Sequence, residues 1–276
     1  LFYDIGDASY YYEIHGHGTP VVLLHGFTGS SDTWSTFVEK HDEGFQLITI
    51  DLPGHGKTKT NTPRTMETCC QDLDQLLEHL QLTDVHLVGY SMGGRTALSF
   101  AMAFPNKIRS LILESASPGL RLEEERNQRM QNDDKLAKKI EKEGIRSFID
   151  FWENIPLFHT QNNLAPSVQE KIRHERLNQN EVGLSQSLRF MGTGAQPSWW
   201  NQLESVKSPV LLIVGELDKK FVNINEDMQH LFHSADLKIV EEAGHAIHVE
   251  EPEIFDKLVS SFIIQEEKRY NEKGSI

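Results

Sequence analysis

Cysteine is scarce: the 276 residues hold two, adjacent at Cys69 and Cys70. Neighbours on a helix point about 100° apart, so geometry disfavours a bridge between them. They read as buried small side chains in a reducing compartment, the cytoplasm. No stretch approaches 18 uncharged apolar residues, which excludes a membrane-spanning helix. The opening "LFYDIGDASYYYEIHGHG" has neither a basic segment nor an apolar one, and so does not read as a signal peptide. Basic residues are outnumbered, 27 to 41, for a net charge of −14. That balance argues against a nucleic-acid partner and against an anionic membrane. The 13 histidines are scattered, and none joins a cysteine at zinc-like spacing, so no metal or cofactor is expected. Internal repeats and low-complexity segments are also missing.

The apolar pattern that remains is rhythmic. "YYYEIH" (10–15), "VVLLH" (21–25), "FQLITIDLPGHG" (45–56), "DVHLVGYS" (84–91) and "IRSLILESAS" (108–117) read as strands, most of them continuous apolar runs of the kind covered on both faces. Between them, "METCCQDLDQLLEHLQL" (66–82) sets Leu73, Leu76, Leu77 and Leu80 at helical spacing, and "MGGRTALSFAMAFP" is a helix ended by Pro105. This alternation predicts an α/β fold, with a mostly parallel sheet and helices on both faces. From Pro118 the text turns helical, charged and strand-poor. Strands resume at "PVLLIVGELD" (209–218) and "ADLKIVEEAGH" (235–245), followed by a helix "PEIFDKLVSSFIIQ" (252–265). The expected organisation is therefore a core of residues 1–117 and 199–276, with an inserted helical cap at 118–198 over the strands' carboxyl ends, where ligands bind in such sheets. The closing "EEKRYNEKGSI" is expected to fray.

Chemistry concentrates at "HLVGYSMGGR". Gly89-Tyr90-Ser91-Met92-Gly93 fits the G-x-S-x-G elbow, between a strand and a helix as that motif requires. A serine hydroxyl needs a base, and the base needs an orienting acid. Asp218 and His245 each follow a resumed strand, in the chain order Ser, Asp, His. Glu216 and Glu114 are alternative acids, and His248 reads as structural. The loop "LLHGFTGS" supplies a second oxyanion donor, the N–H of Phe27, beside that of Met92. "DLPGHG" with His55 reads as scaffold. Arg95 lies one turn past Ser91, and Arg126 and Arg129 lie one turn apart on a charged helix. Trp152 and Phe158 in "FIDFWENIPLF" fit the cap core, with Phe158 also a candidate substrate contact, while "GTGAQPSWW" is a poor helix former suited to a loop at a pocket mouth.

The elbow, loop and triad resemble the α/β-hydrolase superfamily from residue 21 to 245. Across about residues 20 to 262, "GYSMGGR", "SPGL", "PLF" and "MGTGAQPSWW" resemble the 2-succinyl-6-hydroxy-2,4-cyclohexadiene-1-carboxylate synthases of the menaquinone pathway. The resemblance implies Ser91, Asp218 and His245 as the triad, and Tyr90, Arg95, Arg129, Trp152 and Arg176 as substrate contacts. It also implies a small-molecule tricarboxylate substrate that loses pyruvate without hydrolysis. Two other readings stay open: a serine hydrolase acting on an ester, lactone or carbon–carbon bond, and a non-catalytic ligand receptor on the same scaffold. Dehalogenase and epoxide-hydrolase readings are disfavoured, because they want aspartate where Ser91 stands.

Overall fold

The computed structural model describes residues 1–274. Its strands are β1 (Phe2–Ile5), β2 (Ala8–His15), β3 (Thr19–Leu24), β4 (Phe45–Ile50), β5 (Lys59–Thr60), β6 (Val85–Tyr90), β7 (Ile108–Glu114), β8 (Val210–Gly215) and β9 (Ala235–Val240). Its helices are α1 (Ser35–His41), α2 (Met66–His79), α3 (Met92–Ala103), α4 (Glu123–Trp152), α5 (Pro166–Leu177), α6 (Glu181–Met191), α7 (Lys219–Leu231), α8 (Ile247–Glu250) and α9 (Pro252–Gly274). The sheet order is β1-β2-β4-β3-β6-β7-β8-β9, with β5 paired to β2. From β4 to β9 every pairing is parallel, while β1, β2 and β5 pair antiparallel. The mostly parallel sheet is as expected. The short β1 and β5 carry too little pattern to be read from sequence.

Period-two alternation divides the core. On β3, Val22 and Leu24 face a cluster with Leu73, Leu76 and Leu77 of α2 and Phe100 of α3. Val21 and Leu23 face the other side, against Trp34, Phe37 of α1 and Phe255 of α9. Each strand is thus covered twice, which is why its sequence is apolar at both parities. Cys69 and Cys70 are buried, free thiols in the α2 layer.

Between β7 and β8 the chain builds α4, α5 and α6, with a third core of Ala137, Ile140, Phe148, Ile149, Leu184 and Leu188. α4 is broken at Gly144, whose backbone (φ 81°, ψ 167°) leaves the helical region. The freed N–H of Ile145 donates to Glu181 Oε1 at 2.9 Å, so α6 caps the second half of α4.

The C-terminal segment does not fray as the sequence suggested. α9 continues to Gly274, while Ser275 and Ile276 lie outside the described residues. Contacts with β6 and β7 explain the difference. Glu267 Oε1 accepts from Arg109 Nη1 at 2.6 Å and from His86 Nε2 at 2.9 Å, and the Arg109 guanidinium lies 4.2 Å from the Tyr270 ring centroid. His86 is fully buried, and burial pushes its pKa down. With Nε2–H donating to the carboxylate, its Nδ1 accepts from Ser110 Oγ at 2.7 Å. Glu267→Ala strands one buried donor and loosens another, so it is expected to cost about 2 kcal/mol. A lower urea midpoint, with turnover unchanged, checks this.

Candidate active site

Ser91 occupies the turn between β6 and α3 with φ 50° and ψ −105°, a strained conformation for a residue with a side chain. The turn closes only because its flanks are bare. A Cβ on Gly93 would stand 2.0 Å from Leu24 O, and one on Gly89 2.4 Å from Gly93 O. Ser91 N donates to Glu114 O at 2.8 Å, anchoring the elbow to β7. The result lifts Oγ off the sheet at the N-terminus of α3, where the first N–H groups, Met92's among them, lack helical acceptors.

Asp218 follows β8 and caps α7, and His245 follows β9. The His245 Nδ1–H donates to Asp218 Oδ2 at 2.6 Å, leaving Nε2 to accept the Ser91 hydroxyl proton at 3.0 Å. Phe221, Phe158 and Tyr90 pack around the buried imidazole. The alternative acids are occupied elsewhere. Glu114 is bonded to the backbone and ring of His248, and Glu216 accepts from the amide of Glu242.

The loop after β3 is held by a residue whose function the sequence did not disclose. His25 Nδ1–H donates to Gly26 O at 2.8 Å, and its Nε2 accepts from Leu52 N at 2.9 Å. Both bonds together require the neutral ring, and burial lowers its pKa accordingly. Phe27 is thereby set beside Ser91 in the wall of one cavity. Asp51 ties its neighbouring turn by accepting from Ser31 and Lys57 amides at 2.7 Å each, and burial pushes His55 down to about 3. "DLPGHG" is scaffold, as read.

The cavity above Ser91 measures about 300 Å³. Tyr90, Arg95, Arg129, Trp152 and Phe158 all line it, and no aspartate or glutamate among the described residues does. Arg95 Nη1 donates to Met191 O at 2.9 Å and to Gln196 Oε1 at 2.5 Å, both neutral acceptors. Burial, then nearby Arg129, push its pKa down to about 9, which leaves it charged near neutrality. Arg129 Nε donates to Asp133 Oδ1 at 2.8 Å. Asp133 is buried and its Oδ2 has no partner, so burial raises its pKa. Arg126 turns away, donating to Leu120 O at 3.4 Å. Trp152 packs against Phe27, Phe148 and Phe158, with a buried Nε1–H that has no acceptor.

Arg176 is not brought into this cavity. It lines a neighbouring chamber of about 270 Å³ that shares Phe27, Tyr90 and Phe158 with the first. There its guanidinium lies 4.7 Å from the Phe158 ring centroid, donates to Gln161 Oε1 at 3.0 Å, and stands 3.7 Å from Glu153. Sequence reading missed Gln196 and Asp133. The i, i+4 spacing of Arg129 and Asp133 was a visible signal, whereas nothing in "GTGAQPSWW" announces where Gln196 points. Among the described residues no group of three or more His, Cys, Asp or Glu is arranged to hold a metal.

Ser115 is a second strained residue in the cavity wall, with φ 47° and a buried Oγ that has no partner. Ser115→Gly removes both penalties. It is expected to stabilise the fold by about 1 kcal/mol and to raise the melting temperature by about 2–4 °C. A drop in melting temperature would show that the hydroxyl contributes packing worth more than the strain.

A family model described as the alpha/beta hydrolase fold matches residues 19–252. The chain is 46% identical to a Bacillus subtilis protein provisionally named 2-succinyl-6-hydroxy-2,4-cyclohexadiene-1-carboxylate synthase, over 88% of this chain and 89% of that one. It is 30% identical to the synthase of that name from Citrobacter koseri, over 85% and 90%. Among solved structures it resembles MenH from S. aureus, with TM-score 0.90 and 37% identity over 94% of this chain and 98% of that one. It also resembles a malate-bound thermophilic esterase from Thermogutta terrifontis, with TM-score 0.83 and 26% identity over 94% of each.

Proposed function

Because the chain belongs to the 2-succinyl-6-hydroxy-2,4-cyclohexadiene-1-carboxylate synthase family of the alpha/beta hydrolase fold, we propose that it is a carbon–oxygen lyase of menaquinone biosynthesis. Its substrate is 2-succinyl-5-enolpyruvyl-6-hydroxy-3-cyclohexene-1-carboxylate, and its products are the family's cyclohexadiene and pyruvate. One observation carries the assignment beyond membership. The Ser91–His245–Asp218 chain opens into a cavity with two arginines and no lining carboxylate, in a protein of net charge −14. Such a site suits a polycarboxylate and wastes its charge on a neutral ester.

His245, oriented by Asp218, takes the Ser91 proton, and Ser91 Oγ removes the ring proton beside the succinyl ketone. The electrons pass to the ketone oxygen, which the N–H groups of Phe27 and Met92 stabilise. Their return forms the 2,3 double bond, shifts the 3,4 double bond to 4,5 and breaks the ring carbon–oxygen bond, releasing enolpyruvate. Its carbon then takes a proton to give pyruvate as the His245 imidazolium gives one up, which returns the relay to its starting state. No water adds to the substrate. Tyr90, Trp152 and Phe158 form the walls around the ring, and Arg95 and Arg129 hold carboxylates. Residues 118–198 act as the cap over a core of 1–117 and 199–276. Two buried, unbridged cysteines suit the cytoplasm, and no helix among the described residues is long and apolar enough to cross a membrane.

The test is direct: the purified chain is mixed with the enolpyruvyl substrate, and pyruvate and diene absorbance are followed together. The 3.0 Å serine–histidine bond would serve ester hydrolysis equally well, so p-nitrophenyl acetate is run in parallel. Ester turnover without pyruvate release would replace the lyase reading by a hydrolase one.

A further inference from the structure

The proposed substrate carries three carboxylates, and the serine cavity as described so far offers two guanidinium groups. Arg176, the third cation that the sequence suggested, sits in the adjacent chamber engaged with Gln161 and Glu153. The cavity has one further cationic lining residue, Lys220. It stands on the first turn of α7, two residues after the triad acid Asp218, so β8 and α7 fix its place relative to the chemistry. Its Nζ lies 5.8 Å from the Phe221 ring centroid, and that ring packs edge-on against His245 at 4.7 Å between centroids. The side chain is exposed, and no carboxylate among the described residues lies within ion-pair distance of it. Of the two arginines lining the cavity, Arg129 meets Asp133 through Nε alone and Arg95 meets only neutral acceptors among the described residues, so each keeps charge to offer a ligand. Among the described residues Lys220 thus has no acidic partner, and it stands beside a cavity that no aspartate or glutamate lines.

We propose that Lys220 is a specificity residue that anchors the third carboxylate of the substrate, from the α7 side, while Arg95 and Arg129 hold the others from α3 and α4. This inference rests on the proposed lyase reading. An ammonium on a flexible stem suits the task, since it can follow a carboxylate that departs with the leaving group. A guanidinium fork would fix a bidentate geometry instead.

Steady-state kinetics on the enolpyruvyl substrate tests it, with melting temperature as the control for folding. Lys220→Ala is expected to raise KM about 10-fold or more at low ionic strength, with kcat within about threefold. Lys220→Arg is expected to restore most of the loss, which a structural role would not predict for an exposed side chain. Added salt should raise the KM of the unaltered protein more than that of Lys220→Ala. Product inhibition separates the possible sources of the carboxylate. Weaker inhibition by pyruvate in Lys220→Ala assigns the enolpyruvyl carboxylate, and weaker inhibition by the dicarboxylate diene assigns one on the ring or succinyl arm. A KM within twofold of the unaltered value, with both inhibitions unchanged, overturns the role of Lys220 and leaves the lyase reading standing. Failure of the unaltered protein to release pyruvate overturns the lyase reading, and this inference with it.

Discussion

Ser91→Ala is expected to lower the rate of pyruvate release by about 10³–10⁴-fold while leaving KM within a few-fold. In the proposed mechanism the relay reaches the substrate through this hydroxyl. His245 is held by Asp218 at 2.6 Å and by the rings around it, so it cannot advance into the space that Oγ vacates. Arg95 and Arg129 do not depend on Ser91, so binding should survive, and a 10³-fold loss would correspond to about 4 kcal/mol of transition-state stabilisation. The reading is sunk if Ser91→Ala retains pyruvate release within tenfold of the unaltered protein. Reaction with a fluorophosphonate should vanish in the same variant, but that result alone cannot separate a base from a nucleophile. The pyruvate measurement does.

Arg95→Ala should cost about 10²-fold in kcat/KM, most of it in KM, because a buried charge-assisted contact is lost and two acceptors, Met191 O and Gln196 Oε1, are left facing the substrate's own negative charge. Arg95→Lys should recover only part of this, because an ammonium cannot reproduce the planar fork. The neutrality of Gln196 matters here. It is buried beside Arg95, accepts a hydrogen bond from Nη1 at 2.5 Å and leaves the guanidinium's charge uncancelled. Gln196→Glu keeps the size and replaces the amide by a carboxylate, so it is expected to raise KM nearly as much as Arg95→Ala does. A Gln196→Glu variant with unchanged KM would mean that Arg95 does not bind a carboxylate.

Sequence carried the elbow and its partners because each sits at a point where periodicity stops. Ser91 follows an apolar strand and precedes a helix, and Asp218 and His245 follow strands of the same sheet, so topology alone brings them together. Arg95 and Arg129 were legible for a related reason: helical spacing fixes where each points relative to a known neighbour. Arg176 illustrates the limit. Its place depends on how α5 packs over Phe158, a tertiary contact with no local signature. Gln196 is harder still, since it lies in a segment without periodicity, and only its bond to Arg95, 101 positions away, gives it meaning. The C-terminus failed differently. Polar composition suggested a loose end, whereas Glu267 and Tyr270 are spent on Arg109 across the sheet.

The interruption at Gly144 bears on how the cavity wall is built. A continuous helix transmits torsion and tilt along its whole hydrogen-bonded ladder. Here the ladder stops between Arg129 and Trp152, two residues of one helix that line the same cavity. Arg129 and Trp152 therefore ride on separate helical segments, joined at a break that Glu181 holds from α6. Under the proposed lyase reading, the carboxylate contact and the aromatic wall are thus set by separate helical segments, and a substitution that disturbs one need not displace the other.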